Sequence, residues 1–245
     1  MPEAFKRIES YYAGAYWGPR KETPEECARR AEAFLATIVK LDPAFSRWFE
    51  QGRSRKDALK RPIEPAGEAL EKRVRRGRDR QFEELGYSVW AWNGAPDDDY
   101  DACGFNFNCG SYSEGQSNRC VVNLPTRGPN AERVLSVPIL MGLVRSLVLA
   151  WEPETSIATS SMLREAVTPI GRAGMFVGWI MYFPRSRGSV PPLPVPVRIE
   201  PVEDKGTLIV LTPERLTVAN PEHVELAQRV HELLDRAGLL RPVTV

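Results

Sequence analysis

Tyr11-Tyr12-Ala13-Gly14-Ala15-Tyr16-Trp17 places four aromatic rings in seven residues, and Gly18-Pro19-Arg20 follows directly. An aromatic side chain buries roughly 150–250 Å² when it packs, and a glycine lets a neighbouring backbone approach closely. The stretch contains no nucleophile, no metal-ligand spacing and no phosphate-binding loop. We therefore predict that this segment serves packing and contact and takes no part in chemistry.

The composition around this segment is that of an ordinary soluble globular protein. The 245 residues are 42% hydrophobic and 27% charged, with a formal net charge of +1. Such a balance gives no general attraction to nucleic acid or lipid. The longest apolar stretch, 137–151, is interrupted by Pro138 and Arg145 and is too short to span a bilayer. We expect a cytoplasmic protein that does not contact membranes.

The cysteines and histidines give no pattern of a metal or redox site. Cys27, Cys103, Cys109 and Cys120 lack CxxC spacing, so buried reduced thiols are expected, with a disulfide or metal site as the alternative. His223 and His231 are the only histidines, and their spacing on one predicted helix suits neither a catalytic triad nor zinc. We expect no metal, no cofactor and no catalytic residue.

The periodicity predicts one α+β domain over residues 1–245, with a mainly antiparallel sheet packed by several helices. Thr23-Pro24-Glu25-Glu26 is a capping box with proline at the first helical position, which predicts a helix start. We expect a helical part over about 20–84, a sheet-rich part over about 85–211 and a last helix over about 221–238. Strands are predicted at 87–92, 103–109, 119–124, 175–183 and 206–211, and a buried helix at 134–151.

Two charged segments stand out. Eleven basic and five acidic residues lie between positions 53 and 80, in a segment that becomes helical after Pro65. The acidic residues threaded through it favour an exposed helix with salt bridges over a phosphate-binding surface. The second segment, Asp97-Asp98-Asp99-Tyr100-Asp101, lacks the glycine and glutamate of a calcium loop, so we interpret it as a solvated loop or an acidic contact surface.

Short segments along the chain, taken in order, form a distinctive pattern. The pattern begins with Gly14-Ala15-Tyr16-Trp17-Gly18-Pro19-Arg20 and Glu22. Its later members are Cys27-Ala28, Asp42-Pro43, Trp48, Trp92-Asn93-Gly94, Asn123-Leu124-Pro125, Ala150-Trp151-Glu152-Pro153, Gly178-Trp179 with Tyr182, and the strand from Gly206 to Thr212. Over about 11–240, this pattern resembles the immunity protein 52 family of bacterial polymorphic toxin systems.

The resemblance implies a non-enzymatic protein that binds a cognate toxin and protects the producing cell. The implied toxin is a nuclease with a restriction-endonuclease-like fold, often delivered by type VI secretion. An inhibitor can compete for a nuclease cleft by presenting carboxylates in place of phosphates. We therefore expect the toxin-binding residues to be Asp97, Asp98, Asp99, Tyr100, Asp101 and Glu114, with no direct binding of nucleic acid.

Two other interpretations remain open from the sequence. The first is a hydrolase whose carboxylates meet only in space, with Glu152, Glu154 or Asp101 as candidates in a deep pocket. The second is a nucleic-acid-binding module that uses the stripe from Arg73 to Arg80.

Overall fold

The computed structural model describes residues 8–95, 99–168 and 175–243. These residues form one antiparallel sheet of eight strands, in the order β2-β3-β4-β1-β5-β6-β8-β7. The strands are β1 (Tyr11–Trp17), β2 (Tyr87–Trp92), β3 (Gly104–Cys109), β4 (Asn118–Leu124), β5 (Thr155–Ser160), β6 (Ile180–Pro184), β7 (Arg198–Val202) and β8 (Gly206–Val210). The predicted α+β class and antiparallel sheet are confirmed.

The described ranges also contain seven helices. They are α1 (Pro24–Ile38), α2 (Arg55–Ala58), α3 (Gly67–Arg76), α4 (Pro129–Val134), α5 (Val137–Trp151), α6 (Ser161–Val167) and α7 (Pro221–Arg236). The capping box predicted before α1 is present, since Thr23 Oγ1 accepts from the Glu26 backbone and Glu26 accepts from the Thr23 backbone. The helix predicted at 134–151 is confirmed as α5, which begins at Val137 because the chain is extended at Ser136 and restarts with Pro138 in the first turn; Val134 is the last residue of α4.

The aromatic segment Tyr11–Trp17 is a strand at the centre of the sheet. It pairs with β4 on one side and with β5 on the other, so both of its edges are satisfied. Its odd-numbered residues, among them Ala13 and Ala15, are buried beneath helices. The prediction that this segment serves packing is confirmed for these residues.

Helices α1 and α5 cover the first face of the sheet. Helix α5 lies against β1, β5 and β6, and α1 packs on both α5 and α3. At the end of α5, the Trp151 ring is fully buried between Trp17 and Phe107, with centroid distances of 5.3 and 5.2 Å. This ring cluster joins the centre of the sheet to the helical layer.

Arg20, which follows β1, and Arg30 of α1 hold the carboxyl end of α5. Arg20 Nη1 donates to the Trp151 carbonyl at 3.0 Å, and Arg30 Nη1 donates to the Ala150 carbonyl at 2.9 Å. These carbonyls have no partner within the helix. Glu22 pairs with both arginines, at 3.2 Å from Arg20 and 2.6 Å from Arg30. The family-like residues Gly18-Pro19-Arg20 and Glu22 therefore have a structural role.

The second face of the sheet is covered over only part of its width. Helix α6 packs against β5, and α7 packs against α6. Beneath this layer the side chains of Met181, Phe183 and Ile209 are buried. Strands β2, β3, β4 and β1 form the half of the second face that these helices do not cover.

The four cysteines lie in the core, as predicted. Cys27, Cys103, Cys109 and Cys120 are buried free thiols. Burial raises the pKa of Cys103 to about 12, and burial also raises the pKa of Cys109 and of Cys120. Because the thiolate is the reactive form, these residues behave as small apolar side chains.

Candidate functional site

The structure describes only part of the predicted acidic loop. Asp97 and Asp98 lie outside the described residues, and Asp99 begins a short 3₁₀ turn that runs to Asp101. Tyr100 is 43% exposed, and the Arg127 guanidinium lies 4.1 Å from its ring centroid. The loop therefore presents a solvent-facing ring beside a cation.

The Asp101 carboxylate makes hydrogen bonds that stabilise the start of a helix. Its Oδ1 accepts from the backbone N–H groups of Asn130 at 2.8 Å and Ala131 at 3.3 Å. These are the second and third residues of α4, so Asp101 caps that helix from a distant part of the chain. Gly128 leaves room for this contact, because a Cβ there would lie 2.8 Å from Asp101 Oδ1.

Replacing Asp101 is expected to destabilise the protein itself. Asp101→Ala leaves two backbone donors of α4 without an acceptor, and loss of a capping side chain costs about 1 kcal/mol. The free energy of unfolding from a urea titration measures this loss. Glu114→Ala, at an exposed turn position, is the control and is expected to change nothing measurable. Equal stability of the two variants would contradict the capping role of Asp101.

The predicted toxin-binding residues do not form one cluster. Asp101 precedes the first residue of β3, whereas Glu114 lies in the turn after β3. A strand of this length separates its ends by about 17 Å. Any surface that includes both positions must extend along the whole of β3.

Four of the five arginines in the basic stripe from Arg73 to Arg80 are held in ion pairs, as the sequence predicts. Arg73 and Arg76 both pair with Glu50, at 2.9 and 3.0 Å. Arg75 pairs with Glu25 and Glu71, and Arg78 pairs with Glu83. Guanidinium groups held by carboxylates are poorly placed to bind phosphates.

The carboxylates considered for a hydrolase each have their own structural partner. Glu152 lies 3.0 Å from Lys205 Nζ and 3.3 Å from Arg30, and its hydrogen bond with Lys205 holds the pKa of Glu152 below its ordinary value. Glu154 Oε1 accepts from the Gly18 backbone at 2.9 Å, and Asp101 caps α4. Within the described ranges, His, Cys, Asp and Glu nowhere gather in threes that could hold a metal ion.

A surface that the motifs do not reveal lies on the uncovered half of the sheet. We call it the open face, and it comprises three positions on each of four neighbouring strands. They are Tyr12, Gly14 and Tyr16 on β1, Ser88, Trp90 and Trp92 on β2, Gly104, Asn106 and Asn108 on β3, and Arg119, Val121 and Asn123 on β4.

The strand register arranges the open face in rows. Trp90 lies opposite Asn106, which lies opposite Val121, and the next residue across is Gly14. With strands about 4.8 Å apart and about 3.3 Å per residue, the grid measures roughly 14 by 13 Å. Trp90 is 45% exposed at one side of this grid, and Arg119 and Asn123 are exposed in its two outer rows, whereas Gly14, Asn106 and Asn108 are buried.

The charge of the open face is positive. Arg119 is the only charged residue among its positions, and no hydrogen bond or ion pair engages its side chain within the described part of the chain. The guanidinium of Arg164 in α6 adds a second positive charge near Tyr16. Burial raises the pKa of Tyr16, and the positive charges of Arg164 and Arg119 both oppose that rise. The open face thus combines aromatic rings with cations and carries no carboxylate.

A cavity of about 230 Å³ lies where the open face meets the covered half. Its lining is mostly apolar and consists of Tyr16, Ile157, Met175, Phe176, Pro242 and Val243, with Thr155 and Ser117 beside them. An apolar recess of this kind can accept a side chain from another molecule.

None of the helices among the described residues is both long and apolar enough to cross a bilayer.

None of the curated proteins matches this chain. A similar solved structure is the Pseudomonas aeruginosa T6SS protein PA0821, with a TM-score of 0.55 at 12% sequence identity. The similarity covers 95% of this chain and 77% of that one, and it shows a shared fold. The family described as Immunity protein 52 matches residues 9–243, nearly the whole chain. The chain belongs to the immunity protein 52 family.

Proposed function

We propose that this protein binds a cognate toxin and thereby protects the cell that makes both. Membership of the immunity protein 52 family, over residues 9–243, is the observation that carries the proposal. The fold supports it, because a broad sheet stiffened by buried helices offers a pre-organised surface, which lowers the cost of binding.

The proposed toxin is a nuclease with a restriction-endonuclease-like fold that a type VI secretion system delivers. The family resemblance supports the nuclease class. The similar fold of the T6SS protein PA0821 is consistent with the secretion route.

Neutralisation is proposed to be stoichiometric binding, without turnover of any substrate. Glu152, Glu154 and Asp101 each hold a partner in the fold, so no pair of them is free to act as acid and base. For the acidic contact we propose Asp97, Asp98 and Asp99 beside Tyr100, which leaves out Asp101 because its carboxylate caps α4.

Co-expression with the toxin encoded next to this chain tests the proposed function. The toxin alone is expected to kill the host, and co-expression of this protein is expected to restore growth and to yield a complex that co-purifies. An unrelated immunity protein is the control. Killing that persists despite soluble, folded protein would contradict the proposal.

The acidic contact is tested separately with Asp97, Asp98 and Asp99 replaced together by serine. We expect weaker toxin binding and an unchanged melting temperature, because the Asp101 cap stays in place. Unchanged affinity would remove the acidic loop from the interface.

A further inference from the structure

The open face has the composition of the centre of a protein interface. Trp, Tyr and Arg are the residues most enriched among binding hot spots. The open face carries Trp90 and Trp92 on its first strand, Tyr12 and Tyr16 on its fourth, and Arg119 on the strand next to the tyrosines. An exposed ring such as Trp90 in the middle of regular structure marks a surface on which a partner gains apolar burial.

Three polar side chains of the open face lack partners, whereas Asn108 donates to Ser88 and to the Leu85 carbonyl. The side chains of Asn106, Asn123 and Arg119 make no hydrogen bond to the described residues. Two of them, Asn123 and Arg119, are exposed, so they can donate to an incoming molecule without first breaking an internal contact. Rings flanking free donors are suited to a partner that brings acceptors.

The charges determine which partner fits. The open face holds Arg119 and no carboxylate, and the Arg164 guanidinium lies 5.1 Å from the Phe176 ring at its border. Opposite charges across an interface favour association, and like charges oppose it. A complementary partner therefore presents Asp or Glu.

We propose that the open face is the docking surface for an acidic segment of the cognate toxin, with Trp90 and Arg119 as its anchors. This inference rests on the proposed function. One partner in a standard interface buries about 800 Å², and the open face, at about 14 by 13 Å, supplies the central part of such an area. The surrounding loops complete the contact.

A nucleic acid is the less suitable occupant. Tight binding of a nucleic acid requires several cations on successive phosphates. The open face holds one arginine, with Arg164 at its border, and four of the five arginines from Arg73 to Arg80 are paired with Glu50, Glu71 and Glu83. Stacking on Trp90 alone cannot supply the missing electrostatic contribution.

The test measures affinity for the purified toxin used in the rescue experiment. Trp90→Ala is expected to weaken binding about 30-fold or more, as removal of a hot-spot tryptophan does. Arg119→Glu is expected to weaken it at least as much, because it opposes an acidic segment, whereas Arg119→Lys keeps most of the affinity. Leu149→Ala and Arg29→Glu, exposed positions on α5 and α1 across the sheet, are the matched controls and are expected to bind like the wild type.

The melting temperature of each variant shows whether the fold is intact. If the wild type binds the toxin and the open-face variants bind equally well, the docking surface is wrong and the proposed function stands. If the wild type does not bind the toxin, the proposed function fails and this inference fails with it. Binding of a single-stranded oligonucleotide by the wild type that Trp90→Ala abolishes would overturn the assignment to an acidic protein segment.

Discussion

Trp151→Ala is expected to lower the free energy of unfolding by about 3–5 kcal/mol, as truncation of a buried tryptophan does. Trp151 is fully buried and contacts Trp17 of the central strand and Phe107 of β3. Its removal leaves a cavity at the junction of the sheet and α5, because rigid strands on one side cannot move to fill the space. Urea unfolding followed by circular dichroism measures the loss.

Trp90→Ala is the matched control, because it deletes the same side chain from a position that is 45% exposed. We expect it to cost under about 1 kcal/mol, as most surface substitutions do. Equal losses for the two variants would contradict the assignment of Trp151 to the core and of Trp90 to the surface.

Glu22→Ala is expected to cost about 2–3 kcal/mol, somewhat less than the loss of a fully buried ion-pair partner. The Glu22 side chain is 7% exposed and bridges Arg20 and Arg30, whose side chains are 28% and 25% exposed. Burial lowers the pKa of Arg20, and the negative charge of Glu22 opposes that lowering more than any other neighbour does. Removing Glu22 therefore leaves Arg20 as a poorly solvated cation. The same arginines hold the last carbonyls of α5, which are then held less firmly.

Glu83→Ala is the control for Glu22→Ala. Glu83 also pairs with an arginine, Arg78, but these side chains are 65% and 50% exposed. Exposed pairs contribute about 0–1 kcal/mol because water and salt screen them. Urea midpoints that fall equally for the two glutamate variants would show that the Glu22 bridge is no stronger than an exposed pair.

The sequence predicts the elements whose patterns are local. The capping box before α1, the strand at 87–92 and the last helix over about 221–238 each depend on a few neighbouring residues, and each is confirmed. Strand β5 was not predicted, because Thr155-Ser156-Ile157-Ala158-Thr159-Ser160 is polar and yet entirely buried. Its hydroxyl groups are satisfied inside the protein; for example, Ser156 Oγ donates to the Gly14 carbonyl at 3.0 Å.

The strand predicted at 175–183 is shorter and displaced in the structure. Only Ile180–Pro184 pair with their neighbours, whereas Met175 and Phe176 line the apolar cavity. A continuous apolar run fits a strand and a cavity lining equally well, so periodicity cannot separate the two.

The open face could be predicted only in part. The alternation in β2 places Trp90 and Trp92 on one side of the strand, which the structure confirms. The sequence does not show that Arg119 and Tyr16 become neighbours, because that requires the long-range pairing of β1 with β4. It also does not show that Asp101 caps α4, since the two segments lie far apart in the chain.

Titration of the purified toxin with this protein, followed by calorimetry and by the activity of the toxin, distinguishes stoichiometric neutralisation from turnover. We expect saturable binding at a fixed molar ratio, with toxin activity lost in proportion to the complex formed. Inactivation of many toxin molecules by each molecule of this protein, or loss of toxin activity without a complex, would contradict it.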